Sequence, residues 1–394
     1  MDLAIRVASS ITEKRNEEDK VDRLNYQYTS YVFVFCAVLI MSKQYMGSPI
    51  TCWTPAEFRP GWVEYTRDYC LIENTYWVPI DDPALPEKEM REQLELPYYQ
   101  WAQFMLVGLA LFYMLPHFVW RSLNWQSGVQ VRSIVDMCVK STGKPAERET
   151  MAKKVAAHMH HSFCSSVVQR EGYTFMQRIS HGQSISLSYF LMKILFIANI
   201  VFQLIILHIF LGFNPLLAFQ DGWNSDWKQT GLFPRSTMCD FEVRTKGNVQ
   251  RYSVQCVLSL NMFNEKIFAL LFIWLCILLA VTVGNTFNWL FAVYSAGSRK
   301  NLAVRMLRSQ GISEDSQLTI TRKAEAETTE KASSEGGGDG QPLLEQEELS
   351  HNVYSDFVSF TPDQTIVVRL IAANAGDIVA SSVVRELYFL DQKP

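Results

Sequence analysis

The chain has 394 residues and a formal net charge of -4, from 36 Lys and Arg against 40 Asp and Glu. Hydrophobic residues make up 48%, aromatic residues 13% and charged residues 19%, with a mean hydropathy of zero and a pI of about 6.0. These averages exclude a collagen-like or wholly disordered chain and show no basic excess for nucleic acid, but they fit either several soluble domains or a membrane protein diluted by polar loops.

The distribution along the chain separates those two readings. A bilayer core of about 30 Å takes about 20 helical residues, and four stretches qualify. The segment 1–25 is charged and lacks the apolar core of a secretory signal, so span one, 26–43, is expected to act as an uncleaved anchor. Tyr26 to Ser42 carries no charge. A first loop, 44–97, leads to span two, 98–120, which contains Pro116. A middle loop, 121–186, precedes span three, 187–212, which carries only Lys193 and His208 as ionisable groups. A second loop, 213–266, precedes span four, 267–294, which is free of charge throughout. The tail, 295–394, contains a Gly-, Ser- and Glu-rich stretch, 309–350, of a composition that stays disordered. From Phe357 to Leu390 apolar runs return, as expected of a small docked unit or a partner-binding tail.

Basic residues are unevenly placed. Arg6, Lys14, Arg15, Lys20 and Arg23 precede span one, nine Lys and Arg from Arg121 to Arg178 lie in the middle loop, and Arg299, Lys300, Arg305 and Arg308 follow span four. The positive-inside rule therefore predicts that both termini and the middle loop are cytoplasmic. Lys193 then falls near the cytoplasmic end of its span, where its ammonium is expected to reach along the helix to water. Pro116 is expected to kink span two and is a hinge candidate. Asn199, Gln203, Asn285 and Asn288 are expected to hydrogen-bond between helices. Tyr26, Tyr98, Tyr99, Trp101, Trp120, Trp289 and Tyr294 fit an interfacial aromatic belt.

Topology also sorts the eight cysteines. Cys52 and Cys70 fall in the first outside loop and Cys239 and Cys256 in the second, an oxidising space where disulfides persist. Four cysteines allow three pairings, and their spacing does not choose among them. In the middle loop, a helix is expected from Ala146 to about Arg170. Its run His158-Met159-His160-His161 with Cys164 lacks a second ligand pair, so a solvated or packed face is expected and no metal. No Gly-rich phosphate loop, nucleophile elbow or cofactor motif occurs, so neither an enzyme nor a cofactor is expected.

Several motifs resemble those of the innexins, the gap-junction proteins of invertebrates. They are Thr51-Cys52-Trp53-Thr54-Pro55 after span one and Tyr98-Tyr99-Gln100-Trp101 opening span two, the latter with Ala102 where valine is usual. Thr230-Gly231-Leu232-Phe233-Pro234-Arg235, Cys239-Asp240-Phe241, Cys256-Val257-Leu258 and the run from Asn261 to Phe268 complete the resemblance, which covers about residues 1 to 310. It implies an all-α membrane protein, a four-helix bundle with disulfide-stapled extracellular loops and a cytoplasmic helical region. It implies the pairs Cys52–Cys256 and Cys70–Cys239. It also implies a plasma-membrane ring, hexamer or octamer, of this or related subunits in lipid, docked to an opposed hemichannel on a neighbouring cell. By the same analogy Met1 to Asp19 forms a pore-lining helix, which makes Asp2 and Leu3 pore-mouth candidates. No nucleic acid is expected as a partner.

Two further features bear on that expectation. The chain contains no Asn-x-Ser/Thr sequon, so no N-linked glycan is expected to hold opposed loops apart. The first outside loop carries ten acidic residues, among them Asp81 and Asp82, against Arg59, Arg67, Lys88 and Arg91. An unpaired hemichannel and a pore-less adhesion protein are the rival readings. If acidic rings line the mouth they favour cations. Neutralising Asp81 and Asp82 is therefore expected to lower cation preference; an unchanged reversal potential under a salt gradient would remove that idea.

Overall fold

The computed structural model describes residues 18–79, 85–126, 129–168, 183–211, 231–312 and 360–391. Helix α1 (Lys20–Met46) leads to strand β1 (Thr51–Trp53), helix α2 (Pro60–Glu73) and the short α3 (Lys88–Gln93). Helices α4 (Tyr98–Phe112), α5 (Leu115–Gln126), α6 (Val131–Ser141) and α7 (Pro145–Val168) follow, then α8 (Ser184–Leu211). Strands β2 (Ser236–Thr245) and β3 (Asn248–Val257) precede α9 (Ser259–Tyr294) and α10 (Ala296–Ser309). Helices α11 (Pro362–Ala375) and α12 (Asp377–Asp391) complete the described chain. Lys20–Met46, Tyr98–Asn124, Ser184–Leu211 and Ser259–Tyr294 are long and apolar enough to cross a membrane. As helices they satisfy their own backbone groups, which hydrocarbon requires. The fold is the expected helical membrane bundle, with one addition: a three-stranded antiparallel sheet in the order β1-β3-β2.

The chain divides into two compact units. One comprises Leu24–Pro116 and Leu195–Thr282 and contains the sheet. Its core is built from Phe33, Ile40, Leu106, Leu109, Ile200, Leu207, Leu271 and Leu275. Several polar groups within it are matched across helices, whereas the buried side chains of Gln103 and Asn264 find no hydrogen-bond partner among the described residues. The Gln203 amide donates to the Leu109 carbonyl at 3.0 Å, the Asn25 amide to Thr282 Oγ1 at 3.0 Å, and the Trp274 indole to Thr29 Oγ1 at 3.2 Å. After an opening α turn, Lys20–Arg23, helix α1 passes through a π turn at Leu24–Tyr28, where the Thr29 hydroxyl donates to the carbonyl five residues back at 2.8 Å. Span two is interrupted rather than smoothly kinked. Helix α4 stops at Phe112, and Pro116 sits in the first turn of α5, where a proline nitrogen removes no needed donor.

The other unit comprises Met1–Arg23, His117–Ile194 and Val283–Pro394. Helix α7 occupies nearly the stretch expected of the middle loop, with His158 and His161 exposed and Met159 buried. The last apolar runs form a helical pair, α11 and α12, that packs on α6, α7 and α10. Thr361 and Gln364 form a capping box at the start of α11. From the same turn, Asp363 accepts from the backbone N–H groups of Ile185 at 3.2 Å and Ser186 at 2.8 Å, satisfying orphan donors at the start of α8. The stretch expected to be disordered lies outside the described residues from 313 onward; Ser309 itself ends α10.

Three expectations are corrected here. Lys193 does not extend to water. Its ammonium is fully buried 2.6 Å from Asp22 Oδ1 and 3.9 Å from Asp19 Oδ2, with the Tyr189 and Trp289 rings at 5.1 and 5.6 Å. Tyr189 donates to Asp22 at 2.9 Å, while Asn285 and Trp289 both donate to Asp19, at 2.8 and 3.1 Å. The aromatic belt also shrinks, because Tyr26, Tyr98, Tyr99, Trp120 and Trp289 are buried, leaving Trp101 and Tyr294 exposed. Of the four amides, Gln203 bonds to α4 as expected and Asn285 to Asp19 just ahead of α1, whereas Asn288 is exposed and the buried Asn199 Nδ2 has no partner among the described residues. Removing one member of a buried ion pair strands the other at a cost of about 3–5 kcal/mol. Lys193→Met is therefore expected to lower the melting temperature of the detergent-purified protein sharply, and Asp22→Asn added to it should recover much of the loss.

Candidate functional site

The loop cysteines converge on the sheet. Strand β1 pairs with β3 so that Cys52 lies opposite Cys256, and the two are bonded, their Cα atoms 3.9 Å apart. Cys70 near the end of α2 is bonded to Cys239 on β2, with Cα atoms 5.8 Å apart. Each bond therefore joins loop one to loop two, the pairing that the resemblance implies. Each closes a separation of 204 or 169 residues and stabilises the fold by about 2–5 kcal/mol. The sulfurs of Cys52, Cys70 and Cys256 lie within 4.8 Å of one another. Bonded sulfurs offer a metal no thiolate, so this cluster is a staple rather than a ligand set.

The hairpin has a local cause. Cys239, Asp240, Phe241, Glu242, Val243 and Arg244 alternate inward and outward, the period of a half-buried strand. Thr245 pairs with Asn248 across a two-residue loop in which Lys246 (φ +49°) and Gly247 (φ +87°) both take positive φ, as a type I′ turn requires. Tyr76 extends the pairing: its backbone exchanges two 2.9 Å hydrogen bonds with Met238. Its hydroxyl donates to Asp240 at 3.1 Å, and Arg91 reaches the other oxygen of that carboxylate at 2.6 Å. Burial, and then the Asp240 charge, push the Tyr76 hydroxyl up to about 12, so it remains a donor throughout the physiological range. At Gly231 (φ +67°) a Cβ would lie 2.7 Å from the Trp77 indole, so the Gly of the Thr230–Arg235 motif is a site of close approach.

The four residues opening span two divide by role. The Gln100 amide nitrogen lies 2.8 Å from the carbonyls of Leu71 and Ile72 and from Asn74 Oδ1. It thus serves the last turn of α2, whose terminal carbonyls have no partners within the helix. Tyr99 is fully buried with its hydroxyl 3.5 Å from the Leu71 carbonyl, and Tyr98 packs edge-on against Phe233 at 5.7 Å. Trp101 alone points outward. The motif therefore ties α4 to the loop module, a role that reading it as an interfacial belt misses. Asp2, Leu3, Asp81 and Asp82 lie outside the described residues, as does the Cys164 side chain.

Gln100→Leu is expected to leave two helix-end carbonyls unmatched, at about 1–3 kcal/mol. The readout is a lower melting temperature, with both disulfides still formed on a non-reducing peptide map.

Comparison with known proteins places this geometry. A family model described as Innexin matches residues 18–389. Innexin unc-9 of Caenorhabditis elegans is 33% identical over 384 residues, covering 94% of this chain and 92% of that protein. Innexin eat-5 of the same organism is 33% identical over 392 residues, covering 96% and 88%. Innexin-3 of Caenorhabditis elegans is 35% identical over 306 residues, covering 75% and 72%. With four apolar helices and two disulfides in the expected places, the chain belongs to the innexin family.

Proposed function

We propose that this gap-junction channel subunit, a multi-pass protein of the plasma membrane, works in a ring whose stapled loops dock against an opposed ring on the neighbouring cell. The observation that carries this reading is the covalent joining of both loops into one sheet-based module, a preformed surface of the kind that binds another molecule without ordering cost. Innexins form oligomeric channels; a hexamer or octamer of this chain or of related subunits is the finer assignment. The lack of a sequon leaves the loops free of N-linked glycan and favours close approach. The basic residues before span one, in the middle loop and after span four support cytoplasmic termini and outside loops.

Transport through such a ring is gated passive diffusion of ions and small solutes, with no chemical step. By analogy with the family, the segment from Met1 to about Asp19, with Asp2 and Leu3, is assigned to the cytoplasmic mouth, and Asp81 and Asp82 to the outer mouth, where acidic rings would favour cations. The break between α4 and α5 ahead of Pro116 is the hinge candidate: an interrupted helix lacks the backbone bonds that resist bending there.

Paired cells expressing the chain are expected to show junctional current and transfer of a small dye. Current in single cells without junctional current would select the unpaired hemichannel. Firm adhesion without current or dye would select the pore-less reading.

A further inference from the structure

Helix α10 begins two residues beyond the end of α9 and carries Arg299, Lys300, Arg305 and Arg308 with no Asp or Glu in its fourteen residues. Ala303, Met306 and Leu307 bury one side of it, and Gln310 just beyond donates to Ser381 Oγ on α12 at 2.8 Å, which fixes how the helix is turned. Lys300, Arg305 and Arg308 consequently stand on the opposite, exposed side, while Arg299 is half-buried. None of the four forms an ion pair among the described residues. Nearby segments differ in this respect: α6, α7 and the link between them match Lys140 with Asp136 at 2.7 Å, Lys144 with Glu147 at 3.0 Å and Lys153 with Glu149 at 3.6 Å.

A second observation locates this face. The last turns of α9 expose Phe287, Leu290, Phe291 and Tyr294, an apolar and aromatic stripe at helical spacing that suits the boundary of acyl chains and headgroups. The helix that starts two residues later, after Ser295, then emerges at headgroup level. A further cation lies deeper in the same unit, within the influence of the Asp19 charge. Arg369 lies 4.6 Å over the Trp289 ring, and burial lowers its pKa, with Arg305 acting in the same direction.

We propose that the exposed face of α10 docks on the inner leaflet by binding the phosphate groups of anionic lipids through Lys300, Arg305 and Arg308. The proposal rests on the cytoplasmic placement of the tail given above. An interface helix with only cations on its open side attracts such headgroups, at about a fivefold gain in affinity per cation. A hydrophobic stripe beside it supplies the anchoring that a free phosphate compound lacks.

The test is a titration of the full-length, detergent-purified protein with dioctanoyl phosphatidylinositol bisphosphate. Parallel arms use inositol trisphosphate alone and dioctanoyl phosphatidylcholine. The wild type should bind the anionic lipid at least tenfold more tightly than either control. K300Q/R305Q/R308Q should weaken binding about a hundredfold, and K300R/R305K/R308K should keep it. Should the triple Gln variant fail to elute as the wild-type oligomer, the single variants Lys300→Gln and Arg308→Gln are each expected to lose about fivefold. No binding by the wild type, equal binding of the lipid and of the soluble headgroup, or unchanged binding in the Gln variants would each overturn the proposal. Detergent leaves both faces open, so the titration does not depend on orientation. Epitope accessibility at the C-terminus in intact cells reports orientation separately.

Discussion

The ammonium of Lys193 has no route to water, and much of the arrangement around it follows from that single fact. A buried cation is retained only when it is paired and hydrogen-bonded. Asp22 supplies the charge at 2.6 Å, and Tyr189 occupies the other oxygen of that carboxylate. Asp19 completes the pocket and is itself held by Asn285 and Trp289. The start of α1 is thereby bound to α8 and α9. One residue earlier, Glu18 contacts His117 on α5, and its backbone carbonyl accepts from Asn374 on α11 at 3.1 Å. The few residues from Glu18 to Arg23 thus touch four other helices of their unit.

The loop module meets a different constraint. It has few apolar residues per strand, and a small sheet with so little core is marginal without cross-links. Two disulfides supply what packing does not, and each runs between the loops rather than within one. The Arg91–Asp240–Tyr76 cluster and the Gln100 amide then place the remaining polar groups. Gln100 is instructive because it belongs to a span by sequence and to the loops by contact. A side chain at the membrane boundary can satisfy a helix end in the loop while its own backbone starts the next helix.

Much of this was legible in the residues. Charge-free runs located the four spans, since a bilayer permits few other segments of that length and composition. The middle-loop helix was readable from its composition and its basic and acidic face, and the motif resemblance gave the cysteine pairing. The hairpin was also written in the chain, in the alternation from Cys239 to Arg244 and in the Gly beside Lys246, although the cysteine positions and span boundaries alone do not reveal it. The burial of Lys193, and of five of the seven span-end aromatics, was not legible. Both expectations came from residue type and depth alone, and neither quantity says which neighbouring helix turns toward the residue.

The sequence by itself determined the number of spans, the family, which loops carry the paired cysteines and the uneven placement of charge. Those properties depend on local composition and on motifs a few residues long. Only the tertiary structure decided that Lys193 faces Asp22 rather than water, that β1 lies beside β3, that Gln100 ends α2, and that α10 keeps its cations on an open side. Each of those depends on which distant segment fills the adjacent volume, and a contact between residues far apart in the chain leaves no periodic trace in either of them.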